Sequence, residues 1–136
     1  MKIAGTQARP PASAERRKSL EVVLPPGLLV DYLTFFERCD GADIWFDDVD
    51  WTIDQFDYLR LASVEEMLNP KTREAHRELF PDLFVIGSDG GSQVLAFDMT
   101  RPPPWPIVMH LPGFSTAENR SVIATSMREL METYLE

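Results

Sequence analysis

One stretch of the chain, residues 83–98, constrains the fold more than any other. Residues 83–86 form a continuous apolar run, which is typical of a strand that is covered on both faces. Residues 89–91 are Asp-Gly-Gly, and these residue types tolerate the positive φ angles of a tight turn. Residues 94–98 then alternate so that one face is clearly more apolar than the other. The stretch therefore predicts a β-hairpin.

Helical patterns lie on both sides of this hairpin. After Pro25-Pro26, large apolar residues recur at helical spacing and predict a helix that ends near residues 39–41, which are Cys-Asp-Gly. Ser63 and Glu66 form the pattern of a capping box, which predicts a short helix through residue 68. Asn69-Pro70 favours the start of another helix that reaches about residue 79. A last amphipathic helix is predicted from residue 122 to 134.

In the remaining segments the apolar residues recur at a shorter spacing than in a helix. Residues 42–61 predict two short strands and a loop, and residues 107–110 predict one more strand. Helices and strands are thus mixed along the chain without regular alternation. The sequence predicts an α+β fold, in which a single domain has a mainly antiparallel sheet flanked by helices.

The first 19 residues differ in composition from the rest. They contain five cations and a single acid, with many alanines and prolines and almost no large apolar side chain. Such a segment cannot bury enough surface to offset its ordering entropy. We expect residues 1–19 to be a flexible basic extension and residues 20–136 to form the domain.

Net charge limits the partners of the chain. Its 136 residues carry a formal charge of −9, and the acid excess lies after residue 19. A body this acidic repels phosphate backbones and favours a basic protein partner, although solubility alone also explains the charge. No apolar run is long enough to span a bilayer, and Cys39 is a lone cysteine. We expect a soluble, cytoplasmic protein that binds neither nucleic acid nor membrane; its oligomeric state stays open.

The chain resembles the SUKH superfamily (Smi/Knr-like domains) from about residue 24 to the last helix. The resemblance rests on the order of Leu24-Pro25-Pro26, Cys39-Asp40-Gly41, the segment 61–68 and the hairpin, within which residues 86–91 are Ile-Gly-Ser-Asp-Gly-Gly. It implies an α+β domain without catalytic activity. Bacterial members are commonly immunity proteins that neutralise a cognate toxin, often a nuclease, and fungal members regulate cell-wall synthesis and signalling. The basic extension and the acidic, aromatic segment depart from the common pattern.

That acidic, aromatic segment, residues 43–58, is the candidate contact surface. Tryptophans supply large anchors at interfaces, and aspartates around them would form a negative rim. A solvated hairpin whose aromatic side chains lie in the core explains the same pattern. The predicted partner-binding residues are Asp43, Trp45, Asp47, Asp48, Asp50, Trp51, Asp54 and Asp57.

Metal and catalytic interpretations fit the sequence poorly. An EF-hand loop starting at Asp48 would need glycine and glutamate where Ile53 and Leu59 stand. A nucleophile elbow around Ser88 would need glycine at position 86, which is isoleucine, and His110 follows an apolar run that is typical of a strand. We therefore expect no metal, no cofactor and no catalytic residue.

Three functions remain as hypotheses. The first is a non-enzymatic immunity protein that binds a basic toxin domain, possibly a nuclease. The second is an intracellular regulatory or scaffold domain without a toxin partner. The third is a small hydrolase centred on Ser88 and His110, which the sequence favours least.

Overall fold

The computed structural model describes the backbone of residues 1–136 and the side chains of residues 1–28 and 30–136. Its strands are β1 (Lys2–Ala8), β2 (Ala42–Asp47), β3 (Tyr58–Leu61), β4 (Leu83–Ser88), β5 (Val94–Asp98), β6 (Ile107–His110) and β7 (Ser121–Ala124). Its helices are α1 (Ala14–Glu21), α2 (Leu29–Arg38), α3 (Val64–Leu68), α4 (Pro70–Leu79) and α5 (Met127–Tyr134), and the 3-10 turn Pro26–Leu28 precedes α2.

The strands form one seven-stranded sheet in which each strand pairs antiparallel with the next along the chain. The sheet is curled, because the loop between β2 and β3 reaches β7: the Gln55 side-chain amide donates to the Ser121 hydroxyl at 2.6 Å. The predicted α+β fold with a mainly antiparallel sheet is confirmed.

Alternation along β2 defines the two faces of the sheet. Ala42, Ile44 and Phe46 are buried and define the inner face, which carries the main core. Helices α2 and α5 supply the opposing apolar side chains, so each buries its hydrophobic stripe against this face. The main core therefore lies between the inner face of the sheet and these helices.

The outer face has a second, smaller apolar cluster. Leu83, Val85, Ala96 and Val108 are buried there, and Phe80, which follows α4, packs against them. Helix α4 itself buries none of its side chains completely. The outer face of β4, β5 and β6 is thus covered more thinly than the inner face.

The structure differs from the prediction that residues 1–19 form a flexible extension. Strand β1 pairs with β2 over Lys2–Ala8, and α1 begins after Ser13, whose side chain caps it by accepting from the Arg16 amide. Most side chains of β1 are exposed, so β1 is held in the sheet mainly by its backbone hydrogen bonds to β2. Composition therefore gave no sign of this strand, and α1 is joined to the core by Leu20, just beyond the predicted boundary.

The prediction of a helix from residue 122 is also wrong at its start. Residues 121–124 form β7 against β6, and α5 begins at Met127 after the N-cap Ser126. Val122 and Ile123 are β-branched, which favours a strand. The expected helix is therefore shorter, whereas the capping box of α3 and the proline at the start of α4 are confirmed.

Gly87 of β4 pairs with Leu61 of β3 and lies beside a β-bulge in the pairing of β4 with β5. A Cβ atom at this position would lie 2.1 Å from the Arg60 carbonyl oxygen, which belongs to the backbone of β3. The two strands can accommodate a side chain here only by moving apart.

We therefore expect Gly87→Ala to lower the free energy of unfolding by about 3 kcal/mol. Urea denaturation followed by circular dichroism measures this change. Gly91→Ala is the matched control, because its Cβ would meet only the Asp89 side chain at 3.4 Å. Equal stability of the two variants would contradict the close approach of β3 and β4.

Candidate functional site

The predicted contact segment divides into two parts. Asp43, Trp45 and Asp47 alternate along β2 and face the outer side of the sheet. The other members lie in the loop between β2 and β3, residues 48–57, which we call the acidic loop. Asp43 lies near the start of β2, whereas the acidic loop follows the end of this strand, so the eight residues do not form one continuous face.

Asp43 is held inside an ionic cluster. Its carboxylate accepts from the Arg60 guanidinium at 3.0 Å and from the Tyr58 hydroxyl, and an Arg9 nitrogen lies at 3.8 Å. The Arg60 guanidinium also donates to Glu66 at 2.7 Å. Burial alone would lower the pKa of Arg60, but its hydrogen bonds to Glu66, Tyr58 and Asp43 outweigh burial and raise it. Asp43 thus neutralises cations of the fold.

Trp45 is half exposed on the outer face. Its ring packs at 5.6 Å, centroid to centroid, from that of Tyr58 on the neighbouring strand. On the other side lies Gly5 of β1, which leaves the indole uncovered there. The exposed fraction of Trp45 is 43%, so part of the ring is available to a partner.

The acidic loop is folded by its own aspartates. The Asp50 carboxylate accepts from the Thr52 amide at 3.0 Å and from the Thr52 hydroxyl at 2.6 Å, and Asp54 accepts from the Asp50 amide at 2.9 Å. The hydrogen bonds from Thr52 lower the pKa of Asp50. Asp48 adopts the left-handed region with φ 54°, which aspartate tolerates better than most residues. The loop therefore has a defined shape.

Two large apolar side chains are exposed on this loop. Trp51 is 64% exposed and Ile53 is 76% exposed. Asp47, Asp48, Asp50 and Asp57 are exposed around them, whereas Asp54 is partly buried. Ile53 was absent from the predicted contact residues. Its two-residue spacing from Trp51 is the signal in the sequence, but alternation alone does not show which side faces solvent.

The base of the acidic loop is anchored to the rest of the fold. Phe56 is buried and its ring meets that of Phe46 at 5.5 Å. The Gln55 carbonyl accepts from the Gln93 amide side chain at 2.8 Å, in addition to the bond from Gln55 to Ser121. Trp51 and Ile53 thus project from a fixed support.

His110 and Ser88 do not form a catalytic pair. Strand β5 lies between them, since Val94 is the register partner of both residues. The Ser88 hydroxyl accepts from the Gly90 amide at 3.2 Å, as expected of a turn residue. His110 Nδ1 accepts from Arg120 Nε at 3.2 Å. The hydrolase hypothesis therefore has no support from this geometry.

Arg120 is the centre of a second ionic cluster on the outer face. Its guanidinium donates to Asp82 at 2.9 Å and to Asp98 at 3.2 Å, besides the bond to His110. The Arg120 side chain is only 6% exposed. This cluster fixes the β6–β7 connection to β5 and to the start of β4.

Among the described side chains, no three His, Cys, Asp or Glu residues form a group that could hold a metal ion. None of the helices described here has the length and apolar character needed to cross a membrane.

Comparison with protein families tests the resemblance to the SUKH superfamily that the sequence motifs suggested. The model of the SMI1 / KNR4 family (SUKH-1) matches residues 11–133. The chain belongs to the SUKH-1 family. The match includes the acidic loop, the Arg120 cluster and the Asp43 cluster except Arg9, while β1 precedes it. No curated protein matches the chain significantly.

The position of Asp43 predicts a structural role that its neighbour Asp47 lacks. We expect Asp43→Asn to lower the free energy of unfolding by about 2 kcal/mol, because the Arg60 guanidinium then loses a charged acceptor. Asp47→Asn, on the same face of β2 and exposed, is the matched control and should change stability by less than about 0.5 kcal/mol. Urea denaturation compares the variants. Equal effects would show that the Asp43 cluster contributes nothing measurable.

The His110 environment predicts a pH dependence of stability. Burial and the charge of Arg120 lower the pKa of His110, and the Asp82 and Asp98 carboxylates oppose this only in part. The unfolded chain therefore binds the proton first as the pH falls. The stability that neutral His110 contributes is fully present above about pH 6.5, the ordinary histidine pKa. This contribution is lost as the pH falls from there through the lowered pKa of His110 in the folded state.

His110→Asn should reduce this loss, because asparagine can still accept from Arg120 but does not titrate. Denaturation midpoints between pH 7.5 and about pH 5 measure the slope. His76, whose pKa burial also lowers, should leave a residual slope in the variant. An unchanged slope in His110→Asn would contradict a lowered pKa of His110 in the folded state.

Proposed function

We propose that this SUKH-1 chain is a non-enzymatic immunity protein that binds a basic toxin domain through the acidic loop. The observation that carries the proposal is the exposure of Trp51 and Ile53 between exposed aspartates. Large apolar side chains on a supported loop suit the centre of an interface, and the surrounding charges suit its rim.

Charge supports a basic partner. The chain carries −9 overall, and the acidic loop adds local negative charge next to its apolar residues. Lys2 Nζ lies 3.4 Å from Asp48 and offsets this charge, so Asp47, Asp50 and Asp57 supply the remaining exposed negative charge. A positively charged surface would be steered toward the loop, and association would weaken as salt screens the field.

Trp45 and Asp47 extend the proposed surface onto the outer face of β2. Asp43 contributes through Arg60 and Tyr58 rather than by contact, because its carboxylate is already used in the fold. By covering the active site of a toxin, such a surface would inhibit it without any chemical step. A nuclease is a suitable target, since its active site is basic enough to bind phosphate.

The first experiment identifies the partner. The tagged chain is recovered from its native cells at low and high salt, and co-purifying proteins are identified. We expect a stable basic protein at low salt that is depleted at high salt. Co-expression should then protect cells from that protein at near-stoichiometric dose. Co-purification without protection would instead support a regulatory or scaffold role.

The identified partner then allows a test of the surface. Trp51→Ala should weaken binding about 30-fold, as expected for an interface hot spot. Phe114→Ala is the matched control, because Phe114 is 77% exposed on the β6–β7 connection. Titration calorimetry measures both. Equal affinities of the two variants would contradict the proposed contact.

The charge contribution needs a separate comparison. Replacing Asp47, Asp48 and Asp57 with asparagine should slow association at low salt and flatten its salt dependence. The matched control replaces Asp31 with asparagine and Glu37 and Glu118 with glutamine, which removes the same charge from other exposed positions. Stopped-flow mixing measures both rates. Equal slowing would assign the effect to net charge and would exclude local steering by the loop.

A further inference from the structure

The outer face of the sheet has a groove beneath α4 that the proposed function does not use. Its volume is about 680 Å³, within the range of small-molecule sites, roughly 300 to 1,000 Å³. Val85 and Val94 of the sheet and Met99 after β5 give the groove an apolar lining. We call it the α4 groove.

Two arginines and a histidine of α4 line the groove on its other side. Arg73, His76 and Arg77 have i, i+3 and i+4 spacing, which places them on one face of the helix. Among the described residues, none of these three side chains has a hydrogen-bond or ion-pair partner. The pKa of Arg73 is lowered by burial and by the charge of Arg77, which is typical of two neighbouring cations without a counter-ion.

The acids near the groove do not compensate these cations. Glu66 also lines the groove, but it accepts from Arg60 at 2.7 Å and from Arg9 at 3.5 Å. Glu74 and Glu78 on α4 are exposed and form no ion pair with Arg73 or Arg77. A cationic wall is therefore left facing an apolar lining, in a chain whose overall charge is negative.

We propose that the α4 groove binds a small apolar carboxylate, whose head group pairs with Arg73 and Arg77 and whose body lies against Val85, Val94 and Met99. An arginine binds a carboxylate through charge-assisted hydrogen bonds, which are strongest where water is partly excluded. The apolar body gains by leaving water. A free small molecule fits the volume of the groove, and this proposal does not depend on the toxin partner.

Decanoate is the probe, used below its micelle concentration, and binding is followed by titration calorimetry and by the NMR signals of the Met99 and Val94 methyl groups. We expect saturable binding at one site with shifts of both methyl signals. Decan-1-ol, which has the same body without a charge, should bind about tenfold more weakly. Decyltrimethylammonium should not shift these signals.

Arg73→Gln and Arg77→Gln should each raise the decanoate Kd about tenfold. Both positions lack partners in the fold, so the variants should remain folded, which near-ultraviolet circular dichroism checks. Arg128→Gln is the matched control, because Arg128 is 83% exposed on α5 and pairs only with Glu132. Its Kd should equal that of the wild type.

Several results would overturn the proposal. These are a lack of saturable decanoate binding, wild-type affinity in both Arg73→Gln and Arg77→Gln, or equal binding of decanoate and decan-1-ol. Binding of an acidic peptide at Met99 and Val94 without binding of decanoate would assign the groove to a protein partner instead. Normal binding of the toxin to Arg73→Gln would show that the α4 groove and the acidic loop are independent binding sites.

Discussion

The packing of Tyr32, Phe35 and Phe36 against the inner face of the sheet is the interaction on which the rest of the structure depends. The Tyr32 ring meets Phe36 at 4.9 Å and Phe97 at 5.9 Å, so α2 is joined to a central strand through aromatic edges. All three residues are almost completely buried. Because the apolar side chains of α2 and α5 are used on the inner face, α4 and Phe80 are the main apolar cover of the outer face of β4, β5 and β6.

Ionic clusters help to stabilise the outer face. Arg60 binds Asp43 and Glu66, and Arg120 binds Asp82 and Asp98, so each guanidinium joins separate elements of the fold. Removing one member of such a cluster leaves its partners without an opposite charge, so these side chains depend on one another. A chain rich in acids thus uses some of them for its fold, and total charge is a poor measure of what a partner can reach. Asp43 illustrates this best.

Local signals explain which parts of the fold were predictable. The capping box at Ser63 and the apolar stripe of α2 each depend only on residues that are close together in the sequence, and both are confirmed. Strand β1 depends on pairing with β2, which is distant along the chain, and side-chain composition does not record this pairing. In β7 the β-branched Val122 and Ile123 favour a strand, but their apolar spacing also continues into α5 and so resembles a longer helix. The contact segment was predicted as one unit because sequence spacing does not show where a strand ends and a loop begins. Ile53 was missed for the same reason.

Exposure of Trp51 and Ile53 has a cost that the neighbouring aspartates offset. Exposed apolar pairs promote association between copies, and flanking charges suppress it. The same charges suit a basic partner, so solubility and recognition favour the same composition. They differ in whether the loop must be held in a fixed position. Solubility depends on how much charge surrounds the loop. Recognition depends on Phe56 and Gln55 holding the loop in place, because an anchor on a mobile loop would lose ordering entropy on binding. The anchored base of the acidic loop is therefore a feature that solubility alone does not explain.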